Sequence, residues 1–181
     1  MLYLFLAPGF EETEALVPLD CIRRAGIDIL TVGISDDCVC GSHGIKVKTD
    51  ISADDMDPTA LEGVLLPGGM PGTENLYENS AVRDMVSFCA QNEKLIASIC
   101  AAPSIPGRMG LLNGKRAVCF PGFEDKLFGS VPSQNAVETD GCFITAKGAG
   151  CAFLFAHKII SYFKGKETAD CVLQNMQYAQ M

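Results

Sequence analysis

The sequence has no long apolar run and few basic residues. No segment approaches the ~20 consecutive apolar residues that a membrane-spanning helix needs. The 181 residues include 14 lysines and arginines against 22 aspartates and glutamates, so the formal net charge is −8. An acidic balance of this kind argues against nucleic acid or an anionic membrane as a partner. We therefore expect neither.

A secretory signal and a disulfide framework are also missing. The apolar opening, residues 1–7, has no basic residue before it and meets Pro8 and Gly9 too early for a signal peptide. The nine cysteines are an odd number, and no Cys-x-x-Cys spacing occurs. We predict reduced thiols in a cytoplasmic protein. Cys38-x-Cys40 supplies too few ligands for a four-ligand cage, so we expect no metal and no cofactor.

Histidine is scarce, and the common phosphate-binding motifs are absent. Of the two histidines, His157 lies in an apolar segment, and we interpret it as a hydrogen-bonded core histidine rather than a base. The glycine-rich stretch 67–72 lacks the Gly-Lys-Ser/Thr ending of a P-loop and the G-x-G-x-x-G of a dinucleotide-binding turn.

What the sequence does contain is typical of one globular domain over residues 1–181. Hydrophobic residues make up 48% and charged residues 20%, which excludes disorder. Short apolar strands alternate with helical patterns, and this alternation predicts an α/β three-layer sandwich with a mostly parallel sheet. The predicted strands are 2–7, 27–32, 64–66, 95–99, 115–119 and 143–146, with a hairpin within 39–50. The predicted helices are 13–25, 80–91, a Pro- and Gly-interrupted helix ending at 112, 151–163 and 167–179.

The first predicted helix carries a proline. Its core stripe would be Leu16, Leu19, Ile22 and Ala25, spaced at helical intervals. Because Pro18 lies inside this segment, we expect a kink or a start later than Thr13.

The stretch Lys94-Leu-Ile-Ala-Ser-Ile-Cys100-Ala-Ala-Pro103 is the centre of the predicted sheet. A buried strand stops at Cys100, and Pro103 suits the first turn of a helix. A cysteine at such a corner, facing a helix N-terminus, has the geometry of a nucleophile elbow with sulfur in place of oxygen. The alternative is that Cys100 is one more small buried hydrophobic residue.

Three predicted loops meet at the carboxyl ends of the strands, where open α/β sheets bind ligands. They carry an acidic cluster (Glu11, Glu12 and Glu14), the glycine-rich stretch 67–72, and Cys100. We expect a crevice there. Glu11 and Glu12 alone would only favour the helix dipole.

Four motifs in this order resemble the ThiJ/PfpI superfamily, and the similarity is greatest to the branch of the parkinsonism-associated protein deglycase and its bacterial relatives. They are Gly9-Phe-Glu-Glu-Thr-Glu14, Leu66-Pro-Gly-Gly-Met-Pro-Gly72, Ile99-Cys-Ala-Ala-Pro103 and Thr145-Ala-Lys-Gly-Ala-Gly150. The resemblance spans essentially the whole chain. It implies a flavodoxin-like fold of the class I glutamine amidotransferase kind and a homodimer.

The resemblance also implies roles for single residues. The reactive cysteine falls on Cys100, its partner glutamate on Glu14, and the oxyanion-type backbone donors on Gly69 and Ala101. An arginine pair near the family's pocket maps to Arg24 and to His43. Two positions depart from the pattern: Phe120 stands where members with glyoxalase or deglycase chemistry often carry histidine, and Ala101 where the protease-like branch does.

Two functions of different classes follow. In the first, Cys100 adds to a small aldehyde or an early glycation adduct and Glu14 shuttles the proton, which is glyoxalase- or deglycase-like chemistry. In the second, the chain is a non-catalytic sensor of oxidative stress or a chaperone, switched by oxidation of Cys100 to the sulfinate. Peptidase and amidotransferase activity are disfavoured because no Cys-His-acid triad is evident. We expect Cys100 to have a pKa of roughly 3.5–7.5.

Overall fold

The computed structural model describes residues 1–35 and 37–179. Eleven strands occur in this part of the chain: β1 (Leu2–Leu6), β2 (Ile29–Gly33), β3 (Cys38–Cys40), β4 (Lys46–Lys48), β5 (Ile51–Ser52), β6 (Gly63–Leu66), β7 (Leu95–Ile99), β8 (Arg116–Ala117), β9 (Val131–Pro132), β10 (Val137–Asp140) and β11 (Phe143–Ala146). Six α-helices accompany them: α1 (Glu12–Arg24), α2 (Gly72–Glu78), α3 (Ser80–Gln91), α4 (Ser104–Arg108), α5 (Ala152–Lys164) and α6 (Lys166–Asn175).

The main sheet has seven strands in the order β10-β11-β7-β6-β1-β2-β5. All neighbours pair in parallel except β10 and β11, which are antiparallel. Every residue of β1, β6, β7 and β11 is buried, as expected for strands covered by helices on both faces. This confirms the predicted α/β sandwich.

Alternate side chains of β1 enter two different core clusters. Leu2, Leu4 and Leu6 face the layer formed by α1, α5 and α6, whereas Tyr3 and Phe5 face the layer that contains α3. This two-residue period follows from the pleat of a strand. It places the helices in two layers, one on each face of the sheet.

Helix α1 differs from its prediction in start and in buried face. It begins at Glu12, before Thr13, and includes Pro18 as a buried residue. Leu16 is only half-buried and belongs to neither core cluster of the described residues. Glu12 and Glu14 are both buried, so the first turn of the helix is covered on more than the one face that the apolar stripe predicts.

Several other boundaries are corrected. Predicted strand 115–119 shrinks to β8, which pairs with β9 outside the main sheet. The helix predicted to reach 112 is the short α4, and the last helix ends at Asn175. Strand β10 is not predicted, because its edge position lets it be polar. Helix α2 begins at Gly72, the last residue of the glycine-rich stretch predicted as a loop. The hairpin predicted within 39–50 is confirmed as β3 and β4.

Within residues 1–35 and 37–179, no helix combines the length and the apolar character needed to cross a membrane.

Candidate functional site

Cys100 follows the central strand β7 in an unusual backbone conformation. Its φ is +64°, which non-glycine residues adopt rarely and which concentrates at functional sites. Its N–H donates to the carbonyl of Ala146 on neighbouring β11 (2.9 Å), and its carbonyl accepts from the N–H of Phe120 (2.8 Å). The turn is therefore held from both sides, and the side chain is half-exposed.

The helix after this turn is shorter than predicted. Pro103 caps α4 instead of opening it, and α4 has five residues. So short a helix has a small macrodipole, and the thiol depends on other groups for any stabilisation of its charge.

Glu14 is brought to Cys100 by the first turn of α1. Its side chain is buried, with 2% exposure, and hydrogen-bonds with the thiol of Cys100. Its Oε2 accepts from the N–H of Gly68 (2.9 Å), and its carboxylate also accepts from the N–H of Ala149. The structure thus brings together three of the four motifs on which the resemblance rests, and the fourth contributes Ala149.

Two further backbone groups face the sulfur. The N–H groups of Gly69 and Ala101 lie near enough to lower the pKa of Cys100, so the two predicted oxyanion-type donors lie at the site. Gly69 has φ +89°, a conformation that favours glycine. Sequence reasoning left out Gly68, although it stands in the same glycine-rich stretch: a Cβ added there would lie 2.6 Å from Cys100 Cβ and 2.6 Å from Glu14 Oε2.

The surroundings raise the pKa of both members of the pair. Burial raises the pKa of Glu14 to about 7, and the charge of Glu11 adds to this, against the hydrogen bonds that the carboxylate accepts. Burial also raises the pKa of Cys100 to about 12, together with the negative charge of Glu14 and the hydrogen bond to it. The N–H groups of Ala101 and Gly69 oppose that rise without cancelling it.

The expected low pKa of Cys100 is therefore wrong for the thiol beside a charged Glu14. Burial and a like charge disfavour the thiolate more than two backbone donors favour it. Both groups have raised pKa values, and because burial and mutual repulsion oppose two negative charges, Glu14 loses its proton before the thiol does. A carboxylate with a pKa near neutrality is well placed to take the thiol proton during a reaction.

Glu12 has a role that sequence reasoning missed. Its buried carboxylate accepts from the backbone N–H of His43 (2.7 Å) and of Ile45 (3.4 Å), and it lies 2.7 Å from Nδ1 of His43. Burial disfavours the charged form of Glu12, but these hydrogen bonds, led by the His43 side chain, lower its pKa to about 2. Glu12 thus anchors the β3–β4 hairpin to α1 instead of only flanking the turn.

Glu11, Glu12 and His43 each offer one ligand atom, and these atoms lie within 4.8 Å of one another. These ligand atoms already take part in hydrogen bonds. Both carboxylate oxygens of Glu12 bind the hairpin, and Oε2 of Glu11, the N-cap of α1, accepts from the N–H of Glu14 (2.7 Å). Hydrogen bonds within the chain therefore account for this cluster.

The remaining predicted residues lie at different distances from the pair. Phe120 borders it, because a Cβ on Gly148 would lie 3.4 Å from the Phe120 ring and 3.9 Å from Oε1 of Glu14.

The other predicted residues make contacts elsewhere. Arg24 ends α1, ten residues or ~15 Å beyond Glu14, and bonds Asp20 at the surface (2.9 Å). His43 is exposed and is held by Glu12. His157 on α5 bonds Asp170 on α6 (2.7 Å).

Comparison with known proteins finds relatives that match nearly the whole chain. Protein dj-1beta of Drosophila melanogaster is 33% identical over 179 residues, which cover 97% of this chain and 96% of the fly protein. A glutathione-independent glyoxalase, DJR-1.2 of Caenorhabditis elegans, is 29% identical over 173 residues, covering 94% of this chain and 91% of the worm protein.

Among solved structures, oxidized DJ-1 of Toxoplasma gondii superposes with a TM-score of 0.94 at 31% identity, covering 99% of this chain and 98% of that one. The flavodoxin-like fold that the resemblance implied is thereby confirmed. The model of the DJ-1/PfpI family matches residues 1–162, and these residues include all four motifs and the Cys100–Glu14 pair. The chain therefore belongs to the DJ-1/PfpI family.

Proposed function

We propose that this protein is a cysteine-dependent enzyme that acts on small reactive aldehydes or early glycation adducts, with Cys100 as nucleophile and Glu14 as proton shuttle. The observation that carries the proposal is the buried carboxyl of Glu14 in hydrogen-bond contact with the thiol, with a pKa of about 7. General acid–base catalysis is most efficient when the pKa of the base lies near the operating pH. The glyoxalase among the relatives supports the same chemistry.

The first step is addition to the aldehyde. The sulfur of Cys100 attacks the carbonyl carbon, the thiol proton passes to Glu14, and the carbonyl electron pair becomes an alkoxide. Glu14 returns the proton to this oxygen, which gives a hemithioacetal. A thiol with a raised pKa can react in this way because its proton leaves as the carbon–sulfur bond forms.

With methylglyoxal the same carboxylate can complete an isomerisation. Glu14 removes the proton from the former aldehyde carbon, and the electrons form an enediol. Return of a proton to the neighbouring carbon yields a thioester, which water hydrolyses to lactate and free Cys100. Methylglyoxal and water thus become lactate, with no external oxidant or reductant.

Phe120 leaves the proposed reaction without a second proton-transfer group. It lies at the pair where histidine is frequent among members with this chemistry, and its ring offers no proton donor or acceptor. Glu14 must therefore carry out every proton transfer alone. We propose a lower turnover than a Cys-Glu-His arrangement would give.

A second candidate function is that of an oxidation sensor or stress chaperone. It is favoured by the backbone donors of Gly69 and Ala101 at the sulfur and by Glu14 beside it, since these groups can hydrogen-bond the oxygens of a sulfinate. One peroxide would oxidise the thiol to the sulfenic acid and leave as water, and a second would give the sulfinic acid. No substrate would be turned over.

The two functions separate in one experiment. Lactate formation from methylglyoxal is followed for the wild type, Cys100→Ser and, as a control, Cys171→Ser, which removes an exposed thiol on α6. Turnover that Cys100→Ser abolishes and Cys171→Ser retains supports the enzyme. Absence of turnover in the wild type, with clean addition of two oxygens to Cys100 under mild peroxide, supports the sensor and contradicts the enzyme.

A further inference from the structure

A cavity of about 150 Å³ lies beside strands β8 and β9, outside the Cys100–Glu14 pair. Its floor is apolar and buried, and consists of Ala117, Val118, Cys119 and Leu127. Its rim is polar and more exposed, and includes Glu124, Gln134 and Lys147. None of the lining residues belongs to α1 or to the β3–β4 hairpin, the elements expected at the interface of a homodimer. The cavity is therefore a bowl of its own, with an apolar base and charged groups at its rim.

Backbone hydrogen bonds hold the walls of this bowl in place. Strands β8 and β9 pair with each other and supply two of the walls. The N–H of Val118 donates to Oγ1 of Thr145 on β11 (3.0 Å), and the N–H of Lys147 donates to the carbonyl of Ala136 (3.0 Å). Each lining segment thus has its own anchor, and the cavity is formed before any ligand binds.

Two opposite charges at the rim have no ionic partner in the described part of the chain. Neither Lys147 nor Glu124 takes part in any of its ion pairs, and the two do not pair with each other. The ammonium of Lys147 donates to the carbonyl of Gln134 (3.0 Å), which uses one of its three protons. Oε2 of Glu124 accepts from the N–H of Gly122 (2.7 Å), which leaves Oε1 to accept another. The rim therefore offers a cationic donor and an anionic acceptor together.

We propose that this cavity binds a small zwitterionic α-amino acid. The carboxylate of the ligand pairs with Lys147, its ammonium pairs with Glu124, and its side chain lies on the apolar floor. A cavity of this volume holds a molecule the size of benzene, with about six non-hydrogen atoms, and alanine is of that size. An apolar side chain suits the floor because apolar surface gains free energy when it leaves water.

The two rim charges discriminate against other small ligands. A simple anion is attracted by Lys147 but repelled by Glu124, and a simple amine is attracted by Glu124 but repelled by Lys147. Like charges placed together in a binding site suppress the wrong ligand. A molecule that carries both charges satisfies both groups, and the free amino acid is the smallest common molecule of that kind.

The test is a titration of the full chain with L-alanine, followed by the NMR shifts of its backbone amides. We expect saturable shifts along the cavity floor. Propionate, which lacks the ammonium, and ethylamine, which lacks the carboxylate, should each bind ~10-fold more weakly, and Lys147→Gln and Glu124→Gln should each weaken L-alanine binding ~10-fold, the usual effect of losing one charged partner. Ala117→Leu, which fills the floor, should abolish binding. Lys158→Gln on α5 and Glu78→Gln on α2 remove exposed charges outside the cavity and should bind as the wild type does.

Cys119 on the floor gives a second measurement. In a Cys100→Ser background, L-alanine at ten times its dissociation constant should slow iodoacetamide labelling of Cys119 by ~10-fold, whereas labelling of the exposed Cys171 on α6 should not change.

Any one of four results would overturn the proposal. They are no binding of L-alanine by the wild type, equal affinity for L-alanine and propionate, unchanged affinity in both glutamine variants, or unchanged labelling of Cys119 at saturating L-alanine. If circular dichroism shows that Ala117→Leu does not fold, Ser130→Leu fills the cavity from its rim instead, and binding of L-alanine by that folded variant would equally contradict the site.

Discussion

At the scale of single residues, the proposed chemistry depends on one proton shared between Glu14 and Cys100. The N–H groups of Gly68 and Ala149 bind the carboxylate, and those of Gly69 and Ala101 bind the sulfur. Each side of the pair is therefore prepared to carry negative charge, and burial prevents both sides from carrying it together. This arrangement makes Glu14 the group whose replacement has the clearest consequences.

Replacing Glu14 should lower the pKa of Cys100. Glu14→Leu removes the negative charge and the hydrogen bond that raise it and leaves burial, so the titration midpoint should fall from about 12 while staying above the free value of ~8.5. Glu14→Gln should lower it further because the amide can donate to the sulfur. Iodoacetamide labelling of Cys100 across pH, read by mass spectrometry, measures the midpoint.

The control for this titration must avoid the neighbouring acids, because Glu11 caps α1 and Glu12 anchors the hairpin. Asp20→Asn removes an exposed carboxylate from the same helix and should leave the midpoint unchanged. Equal midpoints in wild type, Glu14→Leu and Glu14→Gln would mean that no carboxyl influences the sulfur.

Turnover should depend on pH through Glu14. The carboxylate must be deprotonated to accept the thiol proton, so kcat/KM for methylglyoxal should rise with pH and level off above about 7, the pKa of Glu14. Glu14→Gln should lose this inflection and fall by roughly 10²–10⁴, the usual contribution of general acid–base catalysis. A wild-type profile that is flat over ~2 pH units on either side of that pKa would contradict Glu14 as the base.

Gly68→Ala should displace Cys100 and Glu14 from each other although it replaces neither residue. The added Cβ would lie 2.6 Å from both Cys100 Cβ and Glu14 Oε2, and overpacking of this kind costs about 1–3 kcal/mol. We expect loss of Cys100-dependent activity with a lowered free energy of unfolding in urea. Gly150→Ala is the matched control, since a Cβ there meets nothing within 4 Å. Equal activity in the two variants would show that the pair tolerates displacement.

At the scale of elements, the N-cap and first turn of α1 carry three acids with three different roles. Successive residues of a helix are ~100° apart, so Glu12 and Glu14 point to opposite sides: one reaches the hairpin and the other reaches Cys100. Glu11, at the N-cap, satisfies the N–H of Glu14. Through its three acids, the motif therefore caps α1, holds the β3–β4 hairpin and places a carboxyl beside the thiol of Cys100.

Glu12→Gln should loosen the hairpin. The amide keeps the shape of the carboxylate but loses the charge that His43 and Ile45 bind, which for hydrogen bonds to a charged group amounts to about 1.5–3 kcal/mol. Hydrogen exchange should show faster exchange at the amides of His43 and Ile45. Because the pKa of Glu12 is lowered to about 2 from 4.5, its contribution is present above pH 4.5 and is lost as pH falls toward 2. The stability of the variant should be less sensitive to acid over that window, and unaltered amide exchange would refute the anchor.

At the scale of the whole molecule, we expect a homodimer in which the hairpin from Cys38 to Lys48 or the half-exposed side of α1 contributes to the interface. Leu16 lies on this helix outside both core clusters of the described residues, which leaves an apolar side chain without a core position. Light scattering at micromolar concentration should give a dimeric mass for the wild type and a lower mass for Leu16→Glu. Phe128→Glu, which replaces another exposed apolar residue, is the control and should stay dimeric. A monomeric wild type would contradict the prediction.

The amino-acid sequence by itself determined the architecture and the identity of the central pair. Strands such as β7 and helices such as α3 follow from local periodicity, which survives in any tertiary context because a buried strand needs a continuous apolar run. Cys100 and the cluster Glu11, Glu12 and Glu14 could be singled out because they stand at the ends of predicted strands, where parallel sheets open. Only the resemblance to the family distinguished Glu14 from the two neighbouring acids.

Only the tertiary structure decided how that pair is charged and what surrounds it. The direction of the pKa of Cys100 depends on burial and on a carboxylate 86 positions away in the chain, and no local pattern encodes either. The same holds for Glu12, whose partners are on a hairpin about thirty residues further on, and for Gly68, which must be small because two other segments meet against it. Local sequence specifies which groups are available, whereas long-range packing sets the desolvation and the contacts that determine what each group does.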